Sequence, residues 1–140
     1  MSQENVEVVR RSIAAFNAGD LEAALLKVHP DVEWLTNPAA PDMGLFRGHD
    51  GLRRLAAMLE EVLGEVRMEA DEFLDVRDEV VVLGRLHVIG ASSGAATDSY
   101  RAWVYTLRDG DIIRQLTYVE RAQALEAAGL SERDAHSDSP

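Results

Sequence analysis

The sequence predicts an α+β domain in which helices pack on one face of a mostly antiparallel sheet. Apolar residues in the first half of the chain mostly recur at helical spacing, interrupted by one short strand-like run. From residue 66 to residue 119 the apolar residues instead alternate or run almost continuously between turn sequences. No internal repeat or second domain is visible. One set of helices is therefore expected to cover one sheet.

Two helices are predicted at the start of the chain. The first covers residues 4–18, because apolar side chains recur there every three or four positions: Val6, Val9, Ile13 and Phe16. Gly19 suits the left-handed conformation that follows a helix end. Asp20 is a good N-terminal cap for a second helix, which Pro30 ends.

One helix and a series of strands follow. A short strand at 32–36 precedes a loop at 37–44, and a third helix ends at Gly64. Long strands are predicted at 66–76, where Glu72 interrupts the apolar alternation, and at 80–89, 99–107 and 112–119. A last helix lies near 120–128. The domain is expected to span residues 1–130, with a disordered polar tail at 131–140.

The composition limits the classes of function. The chain has 140 residues, enough for one domain with its own core, and it lacks cysteine, which excludes disulfides and thiol nucleophiles. Its net charge of −11 argues against a nucleic-acid partner, because phosphate contacts need a basic face. There is no signal-peptide pattern and no apolar run of about 18 residues. A cytoplasmic protein without membrane contact is expected.

Three stretches resemble the nuclear transport factor 2-like superfamily, which includes SnoaL-like polyketide cyclases, ketosteroid isomerase and limonene epoxide hydrolase. They are Phe16-Asn17-Ala18-Gly19-Asp20-Leu21, His29-Pro30-Asp31-Val32-Glu33-Trp34 and Leu107-Arg108-Asp109-Gly110. The resemblance extends from about Glu4 to Gly129. It implies a cystatin-like, cone-shaped curved sheet with helices on its concave face and an apolar pocket inside. It does not fix a reaction, because one scaffold hosts many chemistries.

The register of the strands decides which side chains face that pocket. If residues 91–97 connect the second and third long strands, His87 lies opposite Arg101 and Arg85 lies opposite Trp103. These four residues and Tyr105 then share the pocket face.

The last hairpin has two possible registers. A two-residue loop at Asp109-Gly110 would turn Arg114, Leu116 and Tyr118 inward, whereas a three-residue loop would turn Ile113, Gln115 and Thr117 inward. The three-residue loop is favoured, because it agrees with the ungapped match to epoxide hydrolase-type sequences.

The resemblance to ketosteroid isomerase does not bring its catalytic residues. Where that enzyme uses a tyrosine, an aspartate base and a protonated aspartate, this chain has Ser12, Thr36 and Trp103. A threonine hydroxyl does not abstract a carbon-bound proton near neutral pH. Steroid isomerisation by that mechanism is therefore not expected.

The resemblance to epoxide hydrolases leads to a similar result. Their Arg-x-Asp pair corresponds to Arg85 and His87, and their second aspartate corresponds to Thr117. The tyrosine and asparagine that hold water in those enzymes correspond to Trp34 and Thr36. Both carboxylates are missing, so that mechanism also fails.

The replacement residues suggest another chemistry. We predict His87 as a general base with Arg85 or Arg101 as the oxyanion partner, because nearby arginines favour a neutral imidazole and a guanidinium stabilises an enolate. His87 also matches the supporting histidine of SnoaL-like cyclases, although no inward carboxylate is evident. Structural alternatives are a cation–π pair of Arg85 with Trp103, an interior His87 without a chemical role, and an Arg101 paired with an acid at the rim.

The predicted ligand-binding residues are Trp34, Thr36, Trp103, Tyr105, Gln115 and Thr117. No cofactor is expected, and no metal site, since no histidines share metal-ligand spacing. Three functions stay open: a cofactor-independent lyase, isomerase or cyclase for a carbonyl-containing or anionic metabolite, a non-catalytic small-molecule binder, or a dimerisation module with a collapsed core. A homodimer is expected, because an apolar strip on the far face of the sheet could be buried by a second subunit: Leu86, Val88, Ala102 and Val104.

Overall fold

The computed structural model describes residues 2–37, 44–90 and 94–130. In chain order the elements are α1 (Ser2–Asn17), α2 (Leu21–Ala24), β1 (Val28–Leu35), β2 (Leu45–Arg47), α3 (Gly48–Val62), β3 (Gly64–Val76), β4 (Glu79–Gly90), β5 (Ala96–Arg108), β6 (Asp111–Tyr118) and α4 (Arg121–Ala127). The predictions for most of the 37–44 loop, for the start of the 91–97 connector and for the 131–140 tail lie outside the described residues.

The strands form one sheet in the order β2-β1-β6-β5-β4-β3. Only the β1–β6 pair among them is parallel, so the predicted α+β class with a mostly antiparallel sheet is confirmed. Helices α1, α2 and α3 cover one face, which we call the inner face. Their buried side chains, among them Val9, Ile13, Leu52 and Leu55, join Val82, Trp103 and Tyr105 of the sheet in one apolar core.

The second helix is shorter than predicted. It ends at Ala24, and Pro30 lies within β1 instead of after a helix. The pairing of β1 with β6 is irregular between Val28 and Glu33. A proline has no N–H to donate, and it is tolerated here because the ladder is interrupted at its position.

The junction between α1 and α2 fixes the edge of the sheet. The predicted cap is confirmed, because the Asp20 carboxylate accepts a hydrogen bond from the N–H of Ala23 at 3.1 Å. Asn17 Nδ2 donates to the carbonyl of Met68 at 2.8 Å, and the N–H of Met68 donates to Asn17 Oδ1 at 2.9 Å. This side-chain amide therefore takes the place of a neighbouring strand at the edge strand β3.

The predicted register of β4 and β5 is wrong. Arg85 pairs with Tyr100, His87 with Asp98 and Gly84 with Arg101. The register is shifted by three residues along β5, because His87 pairs with Asp98 and was expected to lie opposite Arg101. A shift by an odd number of residues exchanges the two faces of a strand. Arg85 and His87 consequently lie on the outer face of the sheet, and Arg101 on the inner face.

In the β5–β6 hairpin the β6 side chains face as predicted, but the loop that connects the strands is shorter than predicted. Arg108 pairs with Asp111, so the loop has two residues, Asp109 and Gly110, whose φ angles are 53° and 83°. The three-residue loop is therefore wrong. A bulge between Thr106 and Leu107 then shifts the register by one residue on β6. Gln115 and Thr117 consequently face inward, as the three-residue loop would also have placed them.

A second bulge exchanges the faces of β3. Ala70 pairs with Gly84 and Glu72 pairs with Leu83, which leaves Asp71 as the extra residue. Before the bulge Met68 packs against the inner core, and after it Leu74 packs on the outer face. The interruption at Glu72 in the sequence pattern thus marks a change of face.

The outer face is covered in part by the last helix. Side chains Ala124, Leu125 and Ala128 pack there against Leu74, Val81, Leu83, Ala102 and Val104. Ala102 and Val104 are thus buried within the chain, and Leu86 faces inward, so the apolar strip that suggested a homodimer does not exist as predicted. The homodimer stays a prediction. No described helix has the length and apolarity needed to span a membrane.

Candidate functional site

A cavity of about 270 Å³ lies between the inner face and the three N-terminal helices. Helices α1 and α3 supply Phe16, Leu55 and Leu59 to its wall, and strands β3 and β4 supply Met68 and Leu86. Side chains do not fill this space, so the alternative of a collapsed core is not supported.

The predicted ligand-binding residues all line this cavity. They are Trp34, Thr36, Trp103, Tyr105, Gln115 and Thr117, and Arg101 lines it with them. Pairing places Trp34, Gln115 and Tyr105 in one row across β1, β6 and β5. Trp103 and Thr117 form the next row. Their roles in binding stay predictions, but the structure brings them together.

Arg101 is the one charged residue among the described residues that line the cavity. Its Nη1 donates to the carbonyl of Tyr100 at 2.8 Å and to the Ser99 hydroxyl at 3.1 Å. Within the described ranges no carboxylate forms an ion pair with it, so the pairing with an acid at the rim is not observed. A guanidinium has five N–H donors, and the two contacts above engage only part of that capacity. The cavity therefore presents a cation without a counter-ion from these residues.

Thr117 and Gln115 form a hydrogen-bonded pair next to Trp103 and Tyr105 on the inner face. Thr117 Oγ1 donates to Gln115 Oε1 at 2.7 Å, and Tyr105 pairs with Gln115 on the neighbouring strand. Burial raises the pKa of the Tyr105 hydroxyl, and the contact with Gln115 lowers it by less. The Tyr105 ring meets Trp34 edge to face, with 5.9 Å between ring centroids. Tyr105 is therefore a neutral, rigidly held phenol.

The predicted catalytic group of His87, Arg85 and Arg101 is not assembled in the cavity. On the outer face Arg85 forms ion pairs with Glu69 at 3.4 Å and Asp71 at 3.7 Å, and His87 Nδ1 contacts Asp98. The register error is the reason, since it placed both residues on the wrong face. The alternatives of an Arg85–Trp103 stack and of an interior His87 fail as well, because the faces differ and the His87 side chain is 37% exposed.

The described cavity residues include no general base. None of them is an aspartate, a glutamate or a histidine. Ser12, at the position that the resemblance aligns with a catalytic tyrosine, lines the cavity and donates to the carbonyl of Ala24 at 2.9 Å. In the described parts of the chain no group of three or more histidines, cysteines or acids could hold a metal ion.

Sequence reasoning did not select several residues that form the wall. Leu86 was assigned to the opposite face, and Met68 and Leu59 were not singled out. The correct β4–β5 register would have found Leu86. The other two carry no signal of their own, because an apolar residue that lines a cavity has the same spacing as one that fills a core.

Residues 9–115 match the family model of the SnoaL-like domain. Among solved structures, TerC, crystallised with polyporic acid, is 29% identical with a TM-score of 0.76, and the match covers 90% of this chain and 98% of TerC. An NTF2-like protein from Burkholderia pseudomallei K96243 is 24% identical with a TM-score of 0.75, over 92% of this chain and 98% of that one.

A candidate SnoaL-like polyketide cyclase from Jannaschia sp. CCS1 is 20% identical with a TM-score of 0.72, over 91% of this chain and 92% of that one. The similarity to the Burkholderia and Jannaschia proteins concerns the fold alone. No curated protein matches the chain.

Proposed function

The chain belongs to the SnoaL-like domain family, and we propose that its cavity binds an anionic, largely aromatic small molecule. The observation that carries this proposal is Arg101, a cation without a described carboxylate partner in an otherwise uncharged cavity. A guanidinium in such a site recognises a carboxylate or an ionised hydroxyl. Trp34 and Trp103 then supply aromatic surface for the body of the ligand.

The polar residues at the inner end of the cavity complete this assignment. Gln115 and Thr117 would orient the ligand by hydrogen bonds, while Thr36, directly after the end of β1, also lines the cavity. TerC supports the class of ligand, because its structure contains polyporic acid and its fold covers almost the whole of this chain.

Cofactor-independent isomerase or cyclase chemistry is the alternative that family membership raises. It has less support, because the described cavity residues provide no carboxylate or imidazole to move a proton. The catalytic roles predicted for His87 and Arg85 are not part of the proposal, since both residues face away from the cavity.

Calorimetric titration with polyporic acid tests the proposal. We expect binding to the wild-type protein and a loss of affinity of about 10- to 100-fold in Arg101→Gln, as for the removal of a hydrogen-bonded ion pair. Arg85→Gln removes the same charge from the other face of the same sheet, and its affinity should match the wild type.

Equal affinity in wild type and Arg101→Gln would overturn the role of Arg101. A loss in Arg85→Gln alone would move the anion site to the outer face. Absence of binding to polyporic acid and to simple aromatic acids such as 2-naphthoic acid would overturn the proposed function itself.

A further inference from the structure

We propose that the Tyr105 hydroxyl donates a hydrogen bond to a carbonyl or similar acceptor oxygen at the inner end of the ligand, remote from the acidic group held by Arg101. This inference rests on the proposed function and deepens it. It assigns the ligand two polar ends of different chemistry, one acidic and one a neutral acceptor.

The hydrogen bond next to Tyr105 leads to this assignment. The Gln115 amide oxygen already accepts from Thr117 Oγ1 at 2.7 Å. The amide oxygen of the residue that pairs with Tyr105 thus already has a donor, and the Tyr105 proton is left for another acceptor.

The Tyr105 hydroxyl can donate its proton to an acceptor in the cavity. Tyr105 is 1% exposed and lines the cavity, and across the described residues no hydrogen bond from its hydroxyl to an acceptor is found. An acceptor supplied by a ligand in the cavity would give this donor a hydrogen bond, which is favourable. Burial raises the pKa of the hydroxyl, which keeps it in the donor form.

The positions along β5 set the length of the ligand. Arg101 and Tyr105 are four residues apart on the same face, so their Cα atoms lie about 14 Å apart at 3.4 Å per residue. Trp103 lies between them on that face. The fitting ligand is therefore elongated, with its acid at Arg101, an aromatic centre beside Trp103 and an acceptor at Tyr105.

Two probe ligands of similar shape test the acidic end and the acceptor end of the ligand separately. In 6-acetyl-2-naphthoic acid a ketone lies opposite the acid, and in 6-isopropyl-2-naphthoic acid an isopropyl group replaces the ketone. We expect the wild type to bind the ketone more tightly by about 2- to 10-fold, the contribution of one hydrogen bond. Tyr105→Phe should remove this preference while it keeps the affinity for the isopropyl acid. Tyr118→Phe removes a hydroxyl from the outer face and should keep the preference.

Infrared spectroscopy measures the ketone stretching frequency, which a change in packing alone would not alter. The ketone stretch, isolated by a ¹³C label, should shift to lower frequency in the wild-type complex and return towards its value in an apolar solvent in Tyr105→Phe. A preference and a shift that persist in Tyr105→Phe would overturn the Tyr105 assignment. If both acids still bind in an Arg101-dependent manner in that case, the proposed function survives. Failure of both acids to bind while polyporic acid binds would overturn the Tyr105 assignment alone, and failure of all three to bind would overturn both proposals.

Discussion

At the scale of single residues, Gly84 shows how the backbone limits the sequence next to the site. It pairs with Arg101 on β5, and on its other side the bulge of β3 brings the Glu69 carbonyl so close that an added Cβ would overlap it. Only a residue without a side chain fits between these two strands.

We therefore expect Gly84→Ala to destabilise the protein by about 1–3 kcal/mol, the usual effect of forcing a methyl group into a filled space. Urea denaturation followed by circular dichroism measures it. A wild-type midpoint in the variant would mean that β3 does not approach β4 as closely as described.

Tyr105 links a single residue to the pH dependence of stability. Burial raises its pKa above the ordinary value of 10.0, so the folded protein holds the phenolic proton more tightly than the unfolded chain. This stabilisation is complete below the unfolded pKa and is lost as the pH rises through the folded one.

The urea midpoint should therefore fall as the pH rises above about 10, and fall less steeply in Tyr105→Phe. A residual slope is expected in that variant, because burial also raises the pKa of Tyr118. An identical slope in wild type and Tyr105→Phe would contradict the burial of an ionisable hydroxyl.

At the scale of elements, the last helix determines what the outer face of the sheet can do. Leu125 is 1% exposed and packs in the outer-face cluster, so Leu125→Ala should cost about 2–5 kcal/mol and expose part of the apolar sheet. Leu26 offers the same chemical change at a site that is 80% exposed, and Leu26→Ala should alter stability by less than about 0.5 kcal/mol.

Thermal unfolding monitored by circular dichroism compares the two leucine variants. Light scattering of the same samples shows whether loosening α4 promotes self-association. Equal stability of the two variants would mean that α4 does not contribute to the fold.

At the scale of the whole molecule, an acidic protein has to admit an anion. The net charge of −11 repels such a ligand at a distance, whereas Arg101 attracts it on contact. The Debye length falls from about 30 Å at 0.01 M salt to about 8 Å at 0.15 M, so added salt screens the distant repulsion most strongly.

The association rate of 2-naphthoate should therefore rise with salt concentration in stopped-flow experiments, while that of the neutral 2-naphthamide should stay constant. A rate for 2-naphthoate that falls with salt would show that the local field of Arg101 governs the encounter instead.

The fold and most of the cavity wall could be predicted because their signals are local. Helical spacing in α1 and α3, the Asp20 cap and the Asp109-Gly110 turn each act within a few residues. The inward positions of Gln115 and Thr117 were also predicted, although the assumed loop was wrong, because the bulge on β6 adds the residue that a longer loop would have added.

The faces of Arg85 and His87 could not be predicted in the same way. Small residues fill the segment 91–96, and no dipeptide there fixes the length of the turn. The predicted register of β4 and β5 was therefore wrong by three residues. Because side chains alternate along a strand, this error placed Arg85 and His87 on the opposite face of the sheet.

Local patterns in the chain were enough to predict the α+β class, the order of the elements and the aromatic and amide residues on β5 and β6 that line the cavity. The tertiary structure decided which cations face that cavity, leaving Arg101 inside and turning Arg85 and His87 outward. The physical reason is that periodicity is a local property of the chain. Register instead depends on bulges and turns, whose energies are settled by packing between distant strands, such as the approach of β3 to Gly84.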